Sequence, residues 1–431
     1  MTGAEVRPAG LTGQRGPTGP AGRLVSRTVE IPDPGELLSR LPDPRGCAWV
    51  RAGAGLVGWG ETVRVHPEGP DRFEQASTHL RELFASAAVH DPLQLPGTGP
   101  VAFASFTFDP RATGSVLLVS RTVLGRREGR AWITETRWSQ QERPDLPGPP
   151  ALGPAQALAE PGRVRYAGSS LPELRWLEAV DTAVRLLRSG TLAKVVLARD
   201  LQVWAGDVLD PRALALRLAE RFPDCYTFVC DALVGATPEL LVRRTGDTVE
   251  SLVLAGSARR GIDADDDAKA GAQLLSSAKD RAEHLPAVES VRAVLALLCT
   301  DLVADAEPWL LRLHNVQHLA TGLSGRGCGG HTALELAGRL HPTAAVCGVP
   351  TDAAMSLIRE LEGMDRGRYA GPVGWIDTRG DGEFGLALRC AQLEGDHARL
   401  FAGAGIMPGS LPEAELEETR LKLLAMQSAF V

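Results

Sequence analysis

From residue 23 to about 136, short apolar runs alternate with Gly/Pro turns, as in CAWVRAGAGLVGWG, VAFASFTF and GSVLLVSRTVLG. Runs of this length, bounded by turn residues, predict antiparallel strands, with one helix over 71–88. The pattern then changes period. Leu174, Leu177, Val180, Val184 and Leu187 recur at helical spacing, and Gly190 can end that helix. Beyond it the pattern predicts a strand at LAKVVLARDLQVW, a helix at 211–221, and short strands at YTFVCD, ELLVRR and VESLVLAG. A helical stretch over about 267–300 precedes a strand pair near 310–323, helices at 331–339 and 350–361, and strands at GPVGWID, FGLALRCAQLEG and HARLFAGAG. A last helix begins at Ser410, the expected N-cap, with Pro412 in its first turn. Strands often follow strands across short turns, such as GDT at 246–248 and RGDGE at 379–383. That order favours an α/β chain of α+β type, with large antiparallel sheets wrapped by helices, over a doubly wound parallel sheet.

Composition refines this picture. Residues 1–23 are rich in Gly, Pro and Thr and read as a disordered tail, because four glycines spaced by three cannot sustain a collagen helix. A Pro-rich linker at 144–162 separates a variable part, 24–143, from a core at 163–431, and the two are read as one domain. The 431 residues carry 46 Lys+Arg against 53 Asp+Glu, a net charge of −7, which excludes a nucleic-acid-coating surface. The longest apolar run, 291–299, is too short to span a bilayer, and no apolar secretion signal opens the chain. The seven cysteines are odd in number and scattered, and read as buried free thiols in a reducing cytoplasm. No CxxC pair and no HExxH motif is present, so a Cys/His zinc site is not expected.

Several polar residues stand in places where they are costly. Lys194 lies within LAKVVLAR, where burial would lower its pKa and supply a neutral amine as a base; an edge-strand lysine reaching water is the alternative. Glu239 enters the apolar strand ELLV, where a raised pKa would suit a general acid, unless it is an exposed strand-end residue. Asp280, Glu283 and His284 share one helix face, as do Glu415, Glu418 and Lys422; converging, the two faces could hold a divalent ion, and apart they are solvated ion pairs. Gly256-Ser257 and Gly403-Ala404-Gly405 are small-residue turns after strands whose amides could cradle a carboxylate, or are ordinary turns or bulges. Arg389 lies within the strand FGLALRCA, where an unpaired guanidinium is expected to face an anion. Two motifs are rejected. GRGCGG at 325–330 lacks the acidic residue about 20 positions on that a dinucleotide site needs. The acidic run 263–267 lacks the glycine and glutamate of a calcium loop and reads as a solvated loop.

KVVLAR, ATPELLV, LAGSARRG, KDRAEH, VQHLATGL, LHPTAAVCGVP, RGRYAGPVGW, FGLALRCA, FAGAGI and EAELEETRLK occur in this order over about 235 residues. Together they resemble the chorismate-binding enzymes, most closely the isochorismate synthases, over residues 170–430. The resemblance implies a fold of antiparallel sheets wrapped by helices, with the site in a deep cleft. It also implies a Mg²⁺-dependent conversion of chorismate to isochorismate. Lys194 is then the base that activates water at C2, and Glu239 the acid at the departing C4 hydroxyl. Glu283 and Glu415 hold Mg²⁺, with Asp280, Glu418 and Lys422 in support. Tyr369, Arg389 and the amides of Gly403 and Gly405 hold the enolpyruvyl carboxylate, Gly256 and Ser257 contact the ring carboxylate, and His318 lies near the reacting ring edge. Ammonia-using relatives have Gln where Lys194 stands, and the aminodeoxychorismate enzymes have Lys where Ala255 stands, so no glutamine amidotransferase partner is expected. Salicylate synthases have Thr where Ala345 stands. The segments GLVGWGE and FASFTFD are most similar to menaquinone-pathway members.

Overall fold

A computed structural model of the chain describes residues 22–141, 145–148, 152–154, 158–160 and 162–431. Nearly all of the expected tail, and part of the expected linker, lie outside the described residues. The N-terminal part contains β1 (Arg23–Ile31), β2 (Cys47–Arg51), β3 (Ala54–Val65), α1 (Arg72–Ala85), β4 (Ala88–His90), β5 (Val101–Ser105), β6 (Val116–Arg127) and β7 (Arg130–Ser139). After β8 (Arg165–Tyr166) come α2 (Glu173–Arg188), β9 (Lys194–Trp204), α3 (Pro211–Arg221), β10 (Tyr226–Cys230), β11 (Leu233–Thr237), β12 (Leu240–Thr245) and β13 (Thr248–Arg259). Then follow α4 (Ala264–Ser276), α5 (Ala278–Leu298), β14 (Thr300–Ala304), β15 (Trp309–Arg312), β16 (Val316–Arg326), α6 (Ala333–Leu340), β17 (Gly348–Val349) and α7 (Thr351–Leu361). The chain closes with β18 (Pro372–Asp377), β19 (Gly382–Leu386), β20 (Cys390–Glu394), β21 (His397–Ile406) and α8 (Pro412–Gln427).

The strands make two sheets that share one strand. One runs β4-β1-β7-β6-β3-β2-β10-β11-β20-β21-β9-β17. The other runs β5-β18-β19-β12-β13-β16, with β14 and β15 both on the far edge of β16. β6 belongs to both, pairing with β7 through residues 122–127 and with β5 through residues 116–119. Among these pairings only β1 with β4 is parallel, so the antiparallel α+β expectation holds. β2 pairs with β10 and β5 with β18, so the N-terminal strands are built into the same sheets as the later ones. The core between strands and helices includes the fully buried Trp49, Trp132, Trp176 and Trp375. Among the described residues no helix is long and apolar enough to cross a membrane.

The chain crosses from one sheet to the other at two corners that matter below. β11, in the first sheet, turns at Pro238-Glu239 into β12, in the second. β19, in the second, turns at Ala387–Arg389 into β20, in the first.

β11, β14 and β17 have no counterpart in the sequence reading, and other features differ from it too. The helical stretch from 267 is two helices, because Ser277 adopts extended backbone and its Oγ accepts the Asp280 amide, stopping α4 and capping α5. The acidic run is the N-cap and first turn of α4, where carboxylates meet the positive end of the helix dipole. The last helix is capped at Leu411; Ser410 instead accepts the Met407 amide through Oγ. FGLALRCAQLEG is two strands broken at Arg389, which sits at φ +48° in the left-handed region. Both small-residue segments lie inside strands and not in turns: Gly256 is a bulge in β13 at φ +79°, which matches the alternative reading of that segment, and Gly403 to Gly405 lie within β21.

The cysteine expectation is corrected too. Cys299 and Cys328 are joined by a disulfide, while Cys47, Cys225, Cys230, Cys347 and Cys390 are free and buried. Thr300 in β14 pairs with Arg326 in β16, which brings the two flanking cysteines together across 29 residues of sequence.

Candidate active site

Residues of both sheets line one cavity of about 730 Å³, mouth included. Val196, Gly403 and Gly405 come from the first sheet and Leu254 to Ser257 and His318 from the second. The two corners supply Glu239 and Arg389. A concave cavity lined by apolar walls with convergent polar groups suits a small-molecule substrate.

Glu239 is 5% exposed. Burial pushes its carboxyl up to about 8, against the opposing pull of the Leu254 amide and the Lys194 ammonium. It is therefore a protonated acid at neutral pH. Lys194 opens β9 and has no exposed surface. Burial drives its pKa down, and the nearby Glu283 and Glu239 carboxylates only partly restore it. Its Nζ donates to the Glu283 carbonyl at 3.2 Å and lies 3.6 Å from Glu283 Oε1. Burial likewise raises the Glu283 carboxyl. Both members of the pair are thus pushed toward their uncharged forms. Gly405 makes the pairing possible, since a Cβ there would fall 2.1 Å from Glu283 Oε1.

Glu283 on α5 and Glu415 and Glu418 on α8 are close enough to repel one another electrostatically. Each has a lysine: Lys194 for Glu283, Lys279 at 3.1 Å for Glu415, and Lys422 at 2.7 Å for Glu418. Burial and the Glu418 charge raise Glu415, whereas at Glu418 burial is outweighed by Lys422, Ser257 and Lys279 together, which lower it. Ser257 Oγ also donates to Glu418, tying β13 to α8. No three His, Cys, Asp or Glu residues are gathered around one point among the described residues. Mutually repelling carboxylates on two converging helices, Glu415 buried and Glu283 and Glu418 partly buried, nonetheless fit a hard divalent ion that takes few protein oxygens and keeps water.

The opposite side of the cavity suits an anion. Arg389 is 8% exposed, and its Nη1 has no protein partner. Tyr369 lies beside it on the wall, stacked on Phe401 at 5.1 Å. Gly403 and Gly405 stand opposite Ala198 and Val196. Those two amides donate elsewhere, Val196 to Cys347 O and Ala198 to Glu362 Oε1. Opposed residues of an antiparallel pair either exchange both bonds or neither. The Gly403 and Gly405 amides therefore point away from β9, toward the side on which Lys422 Nζ binds Gly403 O at 2.9 Å.

The structure thus brings Glu239, Gly256, Ser257, Glu283, His318, Ala345, Tyr369, Arg389, Gly403, Gly405 and Lys422 to one cavity. Lys194 sits behind Glu283, off the wall. Glu415 and Glu418 flank the cavity, and Asp280 faces an adjoining groove between β13 and α4–α5. His284 leaves the carboxylate face: its ring bonds Ala255 O at 3.1 Å and Thr321 Oγ1 at 2.8 Å, inside the sheet contact. Sequence reasoning missed Arg366, which lines the cavity, pairs with the buried Glu362 and bonds the carbonyls of Val346 and Val196. Its signal was the Glu362–Arg366 spacing of four at the end of α7.

Residues 23–431 match the family described as chorismate binding enzyme. The salicylate biosynthesis isochorismate synthase of Pseudomonas aeruginosa is 36% identical over 411 residues, 88% of this chain and 84% of that protein. The isochorismate synthase MenF of Bacillus subtilis is 33% identical over 380 residues, 83% of this chain and 79% of that one. The menaquinone-specific isochorismate synthase MenF of Escherichia coli has a solved structure that superposes with a TM-score of 0.78 at 25% identity, covering 97% of each chain. Sequence and fold agree, and the chain belongs to the chorismate-binding enzymes.

Proposed function

We propose that the protein isomerises chorismate to isochorismate with the help of Mg²⁺. The observation that carries this reading is a buried acid and a buried amine whose pKa values are pushed in the senses the reaction needs, Glu239 up and Lys194 down. Lys194 takes a proton from the water that attacks C2, and Glu239 gives its proton to the C4 hydroxyl, which leaves as water. Atoms balance, since one water enters and one departs. Glu283 covers the Lys194 amine in this structure, so the base role requires that carboxylate to turn aside. Glu283 and Glu415, supported by Asp280, Glu418 and Lys422, would hold the ion, which when bound neutralises the ring carboxylate. Arg389, Tyr369 and the Gly403 and Gly405 amides would hold the enolpyruvyl carboxylate.

Lys194 and Ala255 stand where ammonia-using relatives differ, which supports action without an amidotransferase subunit. Ala345 on the cavity wall offers no hydroxyl to hold the intermediate for pyruvate loss, which supports isochorismate over salicylate as product. Menaquinone synthesis in the cytoplasm is the proposed setting, supported by the N-terminal segments and the MenF relatives; a siderophore route is the alternative supported by other isochorismate synthases. Incubation with chorismate and Mg²⁺, followed by chromatography and a lactate-dehydrogenase-coupled pyruvate assay, tests the proposal. Isochorismate without pyruvate is the expected result. Stoichiometric pyruvate would make the chain a salicylate synthase, and unchanged chorismate would remove the proposal.

A further inference from the structure

We propose that His318 is a positioning residue: a neutral imidazole that accepts a hydrogen bond from Arg389 and aims its free arm at the substrate carboxylate, rather than a group that exchanges protons at the ring. The argument is one of donors and acceptors. Arg389 Nη2 lies 2.6 Å from His318 Nε2. A guanidinium can only donate, so Nε2 must present its lone pair. The ring proton is then on Nδ1, which lies 3.3 Å from Gly256 O, an acceptor only. Both ring nitrogens are committed, and the tautomer is fixed by its neighbours at each end. A second proton would have to sit on Nε2 against the guanidinium. Burial, then the Arg389 charge, hold the imidazole well below its ordinary pKa, in keeping with this geometry.

The partners are themselves fixed. The bulge at Gly256 directs its carbonyl toward His318, at a φ of +79° that a side chain would strain. Arg389 sits at a sheet corner, also at positive φ, with the Cys225 thiol against the guanidinium. One arm is thus held by His318, and the other, Nη1, is buried without a protein partner. A hydrogen-bonded line runs from the β13 bulge through β16 to the β19–β20 corner and ends on an unspent donor. What that donor binds rests on the proposed chorismate reading; the tautomer does not.

Two measurements test this. In His318→Leu the acceptor is lost, and KM for chorismate is expected to rise about tenfold or more while kcat stays within about threefold. His318→Gln restores an acceptor and is expected to recover most of the KM. A kcat loss of about 10²-fold with unchanged KM in both variants would assign His318 to proton exchange and overturn the inference. So would an unchanged KM in His318→Leu. Nitrogen-15 spectra of histidine-labelled protein, assigned with the His318→Gln variant, should show a neutral Nδ1–H tautomer from about pH 8 to about pH 5.5. An Nε2–H tautomer or an imidazolium would overturn the inference. A wild-type chain inactive on chorismate would remove the functional reading, and the spectra would still decide the tautomer.

Discussion

Glu239 and Lys194 owe their shifted ionisation to the same cause, burial, acting in opposite senses on an acid and a base. Glu239→Gln is expected to cost at least ~10² in kcat while chorismate still binds, read from steady-state kinetics. The sign of the pH dependence follows. In the proposed acid role Glu239 acts only while protonated, so wild-type kcat should fall as pH rises through about 8. A wild-type rate that climbs steadily past that pH would remove Glu239 from the acid role. At Gly405 the constraint is spatial. Gly405→Ala places a methyl group on the Glu283 carboxylate and should lower turnover about tenfold or more, with little change in melting temperature. Loss of folding together with activity would show the glycine to be structural instead. The sequence exposed Lys194 and Glu239 because each interrupts an apolar run. It could not show that Glu283 would cover Lys194, since the two lie 89 residues apart in the chain.

At the scale of elements, α5 and α8 matter because they converge. α8 packs on β21 and α5 on β13 and β16, and Lys279 of α5 bonds Glu415 of α8, so two helices distant in sequence bring Glu283 and Glu415 near one another. Glu283→Gln and Glu415→Gln should each abolish Mg²⁺-dependent turnover, and excess EDTA should do the same to the wild type. Full activity in EDTA would rule out the metal. Helical spacing correctly put Asp280, Glu283 and His284 on neighbouring positions, but a face has width. His284 falls toward the sheet, where Ala255 O and Thr321 Oγ1 satisfy its ring, and Asp280 toward the adjoining groove. Which edge of the face is buried depends on how α5 is rolled against β13 and β16, and periodicity does not contain that angle.

Over the whole molecule, buried histidines couple stability to pH, His341 among them. His341 packs between Phe73 and Phe108, bonds Phe108 O through Nε2, and leaves Nδ1 buried without a partner. Burial lowers its pKa from 6.5 to about 3. The folded chain therefore refuses a proton that the unfolded chain accepts. Stability from this group is complete above about pH 6.5 and is lost as pH falls toward about 3. Urea unfolding at pH 7.5 and at pH 5 should differ by up to about 2 kcal/mol more in the wild type than in His341→Gln. Equal differences in the two proteins would exclude His341 as the cause.

Local patterning determined most of the longer strands, most helix bounds and the antiparallel class, because period and turn chemistry are properties of consecutive residues, and it missed the short strands β11, β14 and β17. It also marked Lys194, Glu239 and Arg389, because a charge inside an apolar run is conspicuous wherever the run goes. Tertiary structure decided the rest. FGLALRCA read as one strand, yet Arg389 sits at a corner between sheets, because hydrophobicity does not report where a chain leaves its partner strand. Cys299 and Cys328 read as separate thiols until the pairing of β14 with β16 set them side by side. The cavity itself arises only where two sheets sharing β6 place their corners, a bulge and two helices around a common space. Proximity between residues far apart in sequence is fixed by packing, and no window of the sequence carries it.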